Sequence, residues 1–305
     1  MTTTGPEEAS ADRPGEEIEL RRRRRWPVFV TIVAAVATVG AIVVWRVAGG
    51  SAESPNAVEG ATLVVVTAEG NAAEQALVEF IAEEVAPRHG ITVSFRGLAD
   101  STTLNRAVSD GEVAGTIYQH KLWLQQVLAA NPDFKEIVAT PVFRWGFGVW
   151  SDKYVSPDQL PDGATVSLYS DPANEAQGLW VLERAGLITL DPNVDKWKAT
   201  TANVVEIPRN LQFKLLDFAA QSRALPDLDA AVGYTEYYLA AGIPVEKQIY
   251  ATRPPDEFAG QLTIGERWKD EPNIKKLVAA FQDPAVQEFL RTSPEVKNIL
   301  LPLSG

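Results

Sequence analysis

The sequence predicts an α/β fold in two lobes, held behind one membrane-spanning helix. Three observations carry that expectation. From Ala61 onward, β-branched apolar runs alternate with helical patterns. One extended stretch, Ile137 to Ser151, contains Gly146 and Gly148, which bend a strand or admit close backbone approach, as a crossing between lobes needs. Near the N-terminus, Arg21 to Arg25 precede twenty uncharged residues, Trp26 to Trp45.

In order along the chain, residues 1–25 are polar, acidic and then basic, and read as a disordered cytoplasmic tail. Twenty residues at a helical rise span about 30 Å, the thickness of bilayer hydrocarbon. The arginine block holds the N-terminus in the cytoplasm, so a span over 26–47 exports everything beyond it. A cleaved signal peptide is the alternative, but signal cores are shorter, about 7–15 residues. Residues 48–60 form a tether.

Ala61 to Thr67 reads as a buried parallel strand, and Asn71 opens a helix that stops at Pro87 and Gly90. Ile91 to Phe95 is a second strand. Asp100 or Ser101 caps a helix closed by Gly111. Val113 to Tyr118 is a third strand, and Lys121 to Ala130 a third helix. After the long stretch, Ala164 to Tyr169 is a strand and Asp171-Pro172 starts a helix with proline at its first position. Val204 to Ile207 and Ala230 to Tyr234 are short strands. Thr235 to Ala241 is a helix. The tail supplies a strand near Leu262 to Ile264 and amphipathic helices at 273–282 and 284–291.

The formal net charge is −12, and the excess lies beyond residue 60, where 32 acids face 21 bases. An acidic body argues against nucleic acid and anionic lipid surfaces as partners. With no cysteine and two histidines, disulfides, thiolate nucleophiles, a lipid-modified cysteine and a His/Cys metal cluster are all excluded or nearly so. Nucleophile elbow, phosphate loop and dinucleotide fingerprint are missing too. No catalytic residue, cofactor or metal is expected.

Two stretches could hold a ligand. Tyr118-Gln119-His120-Lys121-Leu122-Trp123 sets an imidazole between two aromatics at a strand-to-helix junction, where ligands of open α/β sheets sit. His120 is either a structural histidine bonded to its surroundings or a ligand contact. Asp171 to Gln177 opens a helix whose N-terminus could cradle an anion, with Asn174 and Gln177 on one face. A plain N-cap at Asp171 would account for the same residues.

Several of these pieces together resemble the NlpA/MetQ methionine-binding proteins, substrate-binding components of ABC importers, over roughly residues 61–290. Tyr118-Gln119-His120-Lys121 is similar to the family's Phe-Gln-His-Lys signature. Asp171-Pro172-Ala173-Asn174 is similar to its Asp-Pro-Thr-Asn, Ala185-Gly186-Leu187-Ile188 to its Val-Gly-Leu-Ile, and Pro208-Arg209-Asn210-Leu211 to its Pro-Lys-Asn-Leu. Leu104 to Val108 followed by Gly111-Glu112-Val113 resembles its Asn-x-Ala…Gly-Asp-Ile segment.

The resemblance implies a two-lobed binding-protein fold of type II with mixed sheets. Lobe 1 would comprise 61–143 and 235–305, and lobe 2 would comprise 144–234. It further implies hinge closure on a small ligand and delivery to an ABC permease and its ATPase. Tyr118, His120 and Trp123 match positions around the methionine side chain, with Trp123 replacing a tyrosine, and Asn174 matches a polar ligand contact. Gln177 stands where the family has a carboxylate-pairing arginine, Tyr234 where an asparagine contacts the amino-acid backbone, and Ser101 where an aromatic is expected. Arg144, on the crossing strand, is either a replacement cation or, more simply, a surface arginine at a strand edge. The rival readings are a membrane-tethered sensory or scaffold module and a tethered hydrolase.

Overall fold

The structure is a computed structural model that describes residues 54–304. The expected membrane span at 26–47 lies outside these residues. Among the described residues no helix is long and apolar enough to cross a membrane.

The first half of the chain builds alternating elements. Strand β1 (Thr62–Ala68) leads to helix α1 (Ala72–Phe80), which runs on through a π turn at Ile81–Val85. Gly90, at φ 66°, closes that segment in the left-handed region that glycine enters without steric cost. Then come β2 (Thr92–Leu98), α2 (Ser101–Asp110), the two-residue β3 (Gly115–Thr116) and α3 (Lys121–Ala130). The predicted strand Val113 to Tyr118 is thus cut to two paired residues. β1 pairs parallel with β2 and β3, burying Leu63, Val65 and Val66.

The long stretch divides at Gly146 into β4 (Glu136–Trp145) and β5 (Phe147–Trp150). A Cβ at Gly146 would lie 2.1 Å from the Asn298 carbonyl oxygen, so only glycine lets the backbones approach this closely. β6 (Thr165–Tyr169), α4 (Pro172–Arg184) and a small hairpin of β7 (Thr189–Leu190) with β8 (Val204–Glu206) follow. Two elements without a sequence signal come next, β9 (Gln212–Leu216) and α5 (Phe218–Ala224). β10 (Ala230–Tyr234), α6 (Thr235–Ala240) and β11 (Gln248–Ala251) precede β12 (Ala259–Gly265). The chain ends with α7 (Pro272–Phe281), α8 (Pro284–Thr292) and β13 (Leu300–Leu301).

Two mixed sheets result, ordered β13-β4-β12-β3-β1-β2 and β11-β5-β10-β6-β9. β1, β2 and β3 are parallel while β4, β12 and β13 add antiparallel pairs, so the first sheet is mixed, as the resemblance implies. The return to the first sheet also falls later than residue 235. β11 pairs with β5 in the second sheet, and the chain crosses back only between Ala251 and Ala259. Arg144 and Trp145 belong to β4 and the first sheet.

Candidate ligand-binding site

Six strands deliver their carboxyl ends to one cavity of about 430 Å³, a size that suits a small organic molecule. Ala68 closes β1, Ala99 and Asp100 follow β2, and Tyr118 to His120 follow β3. From the second sheet, Asn174 follows β6, Phe218 follows β9 and Tyr234 ends β10. This is the placement expected of ligand sites in open α/β sheets. Trp145, at the crossing, contributes a further ring.

His120 is the N-cap of α3. Its Nδ1 accepts the Trp123 backbone N–H at 3.2 Å, which fixes the ring proton on Nε2. Nε2 then donates to Asn174 Oδ1 at 3.2 Å. Burial pushes the imidazole pKa down to about 4, opposed only by the Asn174 bond, so the ring is neutral at pH 7. Both ring nitrogens are engaged by the protein, and the ring packs edge-on to Phe258, with centroids 5.1 Å apart.

Asn174 is the hub of this wall. Asp171, the N-cap of α4, accepts both its backbone N–H and its side-chain amide at 2.9 Å. That orients Oδ1 toward His120 and toward the Tyr234 hydroxyl, 2.6 Å away. Gln177 lies behind Tyr234, with Oε1 2.9 Å from the same hydroxyl, and does not line the cavity. The predicted residues Tyr118, His120, Trp123, Asn174 and Tyr234 are therefore brought together, with Gln177 supporting them from behind. Tyr118 accepts from Trp123 Nε1 at 3.3 Å and from the Asn105 side chain.

Arg144 is placed elsewhere. Its guanidinium donates to the Pro254 carbonyl at 2.7 Å and pairs with Asp256, and it does not border the cavity. Trp145 faces the cavity, so strand alternation turns its neighbour Arg144 the other way. The arginine instead ties the first crossing to the second.

Sequence reasoning missed the opposite wall. Glu74, in the first turn of α1, is buried, and its Oε1 accepts Trp145 Nε1 at 3.1 Å. Glu236, in the first turn of α6, is half-buried, and its Oε2 accepts the Asn71 amide at 2.8 Å. Burial, then the charge of Glu236, hold the Glu74 carboxyl well above the usual range, against the Trp145 bond and the nearby Thr67 hydroxyl. Burial likewise pushes Glu236 up to about 7, opposed by Asn71. Asp100 sits at the rim, kept low by the Thr103 backbone N–H and hydroxyl. Among the described residues no lysine or arginine lines the cavity, and no group of three or more histidines and acids could hold a metal.

The relatives agree with this architecture. A methionine-binding lipoprotein MetQ of Bacillus subtilis is 29% identical over 228 residues, covering 73% of this chain and 82% of that protein. A periplasmic substrate-binding protein of an ABC transporter from Coxiella burnetii superposes with a TM-score of 0.66 at 31% identity, covering 74% of this chain and 94% of that one. A nutrient-binding protein from Burkholderia cenocepacia, solved with methionine bound, gives 0.64 at 29% identity over 76% and 95% of the two chains. The NlpA lipoprotein family pattern matches residues 63–301, and the chain belongs to that family.

Proposed function

We propose that this protein is the extracytoplasmic substrate-binding component of an ABC importer, capturing a small methionine-like solute and presenting it to a permease and its ATPase. The observation that carries the reading is the convergence of six strand ends, three from each sheet, on one aromatic-lined cavity. A solute there touches both sheets at once and so favours the closed arrangement, the state a permease can read. The relatives named for methionine support the solute class. The chain makes and breaks no bond in this role.

The lobes in this account divide at Gly146 and again between Ala251 and Ala259, with Arg144 bridging the two crossings. Tyr118, His120, Trp123, Asn174 and Tyr234 form the wall against the solute's apolar body. With no cysteine to carry lipid, residues 26–47 serve as the single-pass anchor that keeps the N-terminus cytoplasmic and the binding domain outside.

The test is calorimetric titration of the full chain with L-methionine, D-methionine and a panel of amino acids and organic sulfur compounds. Saturable one-to-one binding that vanishes in Trp123→Ala supports the reading. If neither methionine enantiomer nor any panel member binds, it falls.

A further inference from the structure

A carboxylate-bearing ligand is held most firmly by a cation, and among the described residues this cavity offers none. Gln177 occupies the sequence position of the family's arginine, and it is engaged with Tyr234. Arg144 points at Pro254 and Asp256. Among the described residues no lysine or arginine borders the cavity, and His120 spends its only ring proton on Asn174.

Helix N-termini could substitute, since their N–H groups and macrodipole attract anions. Here four of the helix starts at the cavity already carry a side-chain cap. Asn71 caps α1 on the Glu74 N–H, Asp100 caps α2 on Thr103, His120 caps α3 on Trp123, and Asp171 caps α4 on Asn174. A first-turn glutamate stands at α1 and another at α6.

What remains is an acidic, aromatic recess. Glu74 is 1% exposed and borders the cavity, and its Oε2 is buried without a hydrogen-bond partner. Thr67 is near enough to act on Glu74, yet its hydroxyl donates to the Ala68 carbonyl at 3.2 Å. Glu236 borders the same space, and Asp100 sits at its rim. Besides the His120 imidazole, six aromatic side chains line the cavity: Tyr118, Trp123, Trp145, Phe218, Tyr234 and Tyr237. Aromatic faces attract cations, and a buried acid with an unmet oxygen calls for a donor.

Resting on the solute-binding reading, we infer that the cavity selects a small organic cation, an ammonium or sulfonium carried on an apolar body, whose charge docks at Glu74 and Glu236 and whose binding needs no ligand carboxylate. This differs from a zwitterionic amino acid held at both ends.

The test titrates the full chain with four probes: L-methionine, L-methioninol (ammonium kept, carboxylate absent), N-acetyl-L-methionine (carboxylate kept, ammonium absent) and choline (a permanent cation without the methionine body). The inference expects methioninol to bind at least about ten-fold tighter than methionine, the scale of one close charge pair, and N-acetylmethionine not to bind. Glu236→Gln should cost methioninol a similar factor. Glu74→Gln should do the same, which guards against failure of one variant to fold. If methionine binds as tightly as methioninol or tighter, or if N-acetylmethionine binds, the inference is overturned while solute binding stands. If choline alone binds, the inference stands and the methionine-like solute falls. If no probe binds, both fall.

Discussion

On one side of the cavity, Asn174 accepts from His120 and Tyr234 and donates to Asp171, so its polar atoms are answered from within the fold. On the other side, Glu74 and Glu236 occupy the first turns of two helices, each with one donor, and Glu74 keeps a buried oxygen unmet. Both walls are made in the same way, from residues just beyond the carboxyl ends of strands. They differ in who completes them. The first wall is closed by its own side chains and can be rigid before any ligand arrives. The second keeps two carboxyls raised above their usual range by burial, a state that a ligand's positive charge can reverse. Shape therefore resides in one wall and charge selection in the other.

That contrast can be broken first at its hub. Asn174→Leu leaves the buried His120 Nε2–H without a partner, while the Tyr234 hydroxyl keeps Gln177 and Asp171 keeps the backbone N–H of residue 174. It should cost about 2 kcal/mol in urea unfolding, the scale of one buried donor left unsatisfied. A loss below about 0.5 kcal/mol would mean that the network is slack.

The acidic wall should respond with opposite sign. Glu74→Gln keeps the shape and removes a carboxyl that is buried beside another. Stability of the unliganded protein at pH 8 should rise by about 1 kcal/mol while cation affinity falls. A variant that loses both stability and affinity would make Glu74 a structural acid.

Arg144→Ala sharpens the same comparison from a third place. Removing the tie to Pro254 should cost about 2 kcal/mol of stability and leave solute affinity within about two-fold. A loss of about ten-fold or more would return Arg144 to the binding site.

The smallest effect is on pH. Glu236, raised to about 7, and Glu136, raised by burial to about 8, hold protons in the folded chain that the unfolded chain releases near the ordinary glutamate value. Both carboxyl oxygens of Glu136 are buried without partners. Folded values above unfolded ones give stability that is present at low pH and lost as pH rises through about 7 and about 8. The thermal midpoint of the unliganded protein should fall by a few degrees from about pH 5 to about pH 8.5, a direction that the raised Glu74 reinforces. A rising midpoint across that window would contradict these shifts.

The fold was largely legible because its signals are local. The helix Lys121–Ala130 and the strand Ala230–Tyr234 have the bounds that patterning predicts, and Asp171 caps its helix as the Asp-Pro pair implies. β9 and α5 were missed because Gln212 to Ala224 has no clean period, its apolar residues serving sheet and cavity together. Among site residues, the aromatic–histidine junction stands out in the sequence because histidine is rare here. Glu74 and Glu236 do not stand out, since each is a single acid in an acidic chain. A signal did exist for them. Both lie within a few residues of a strand's carboxyl end, the rule that singled out His120, and it applies to every strand rather than to the most conspicuous one. Arg144 misled because a lone cation on a crossing strand resembles a relocated ligand contact. Which face it takes is settled by the second crossing, which comes a hundred residues later.

The central claim is that a ligand's positive charge docks at Glu74 and Glu236 and displaces a proton that burial keeps on these carboxyls. The other titratable groups facing that pair are Tyr234 and Tyr237, both held above their usual range, the neutral His120, and Asp100 at the rim. None of these changes charge near neutral pH. The direct measurement is calorimetry of methioninol binding to the full chain at about pH 6.5, in buffers of differing ionisation enthalpy. The account predicts release of about one proton per ligand bound, lost in Glu236→Gln. Binding with no proton released, or with a proton taken up, would contradict it.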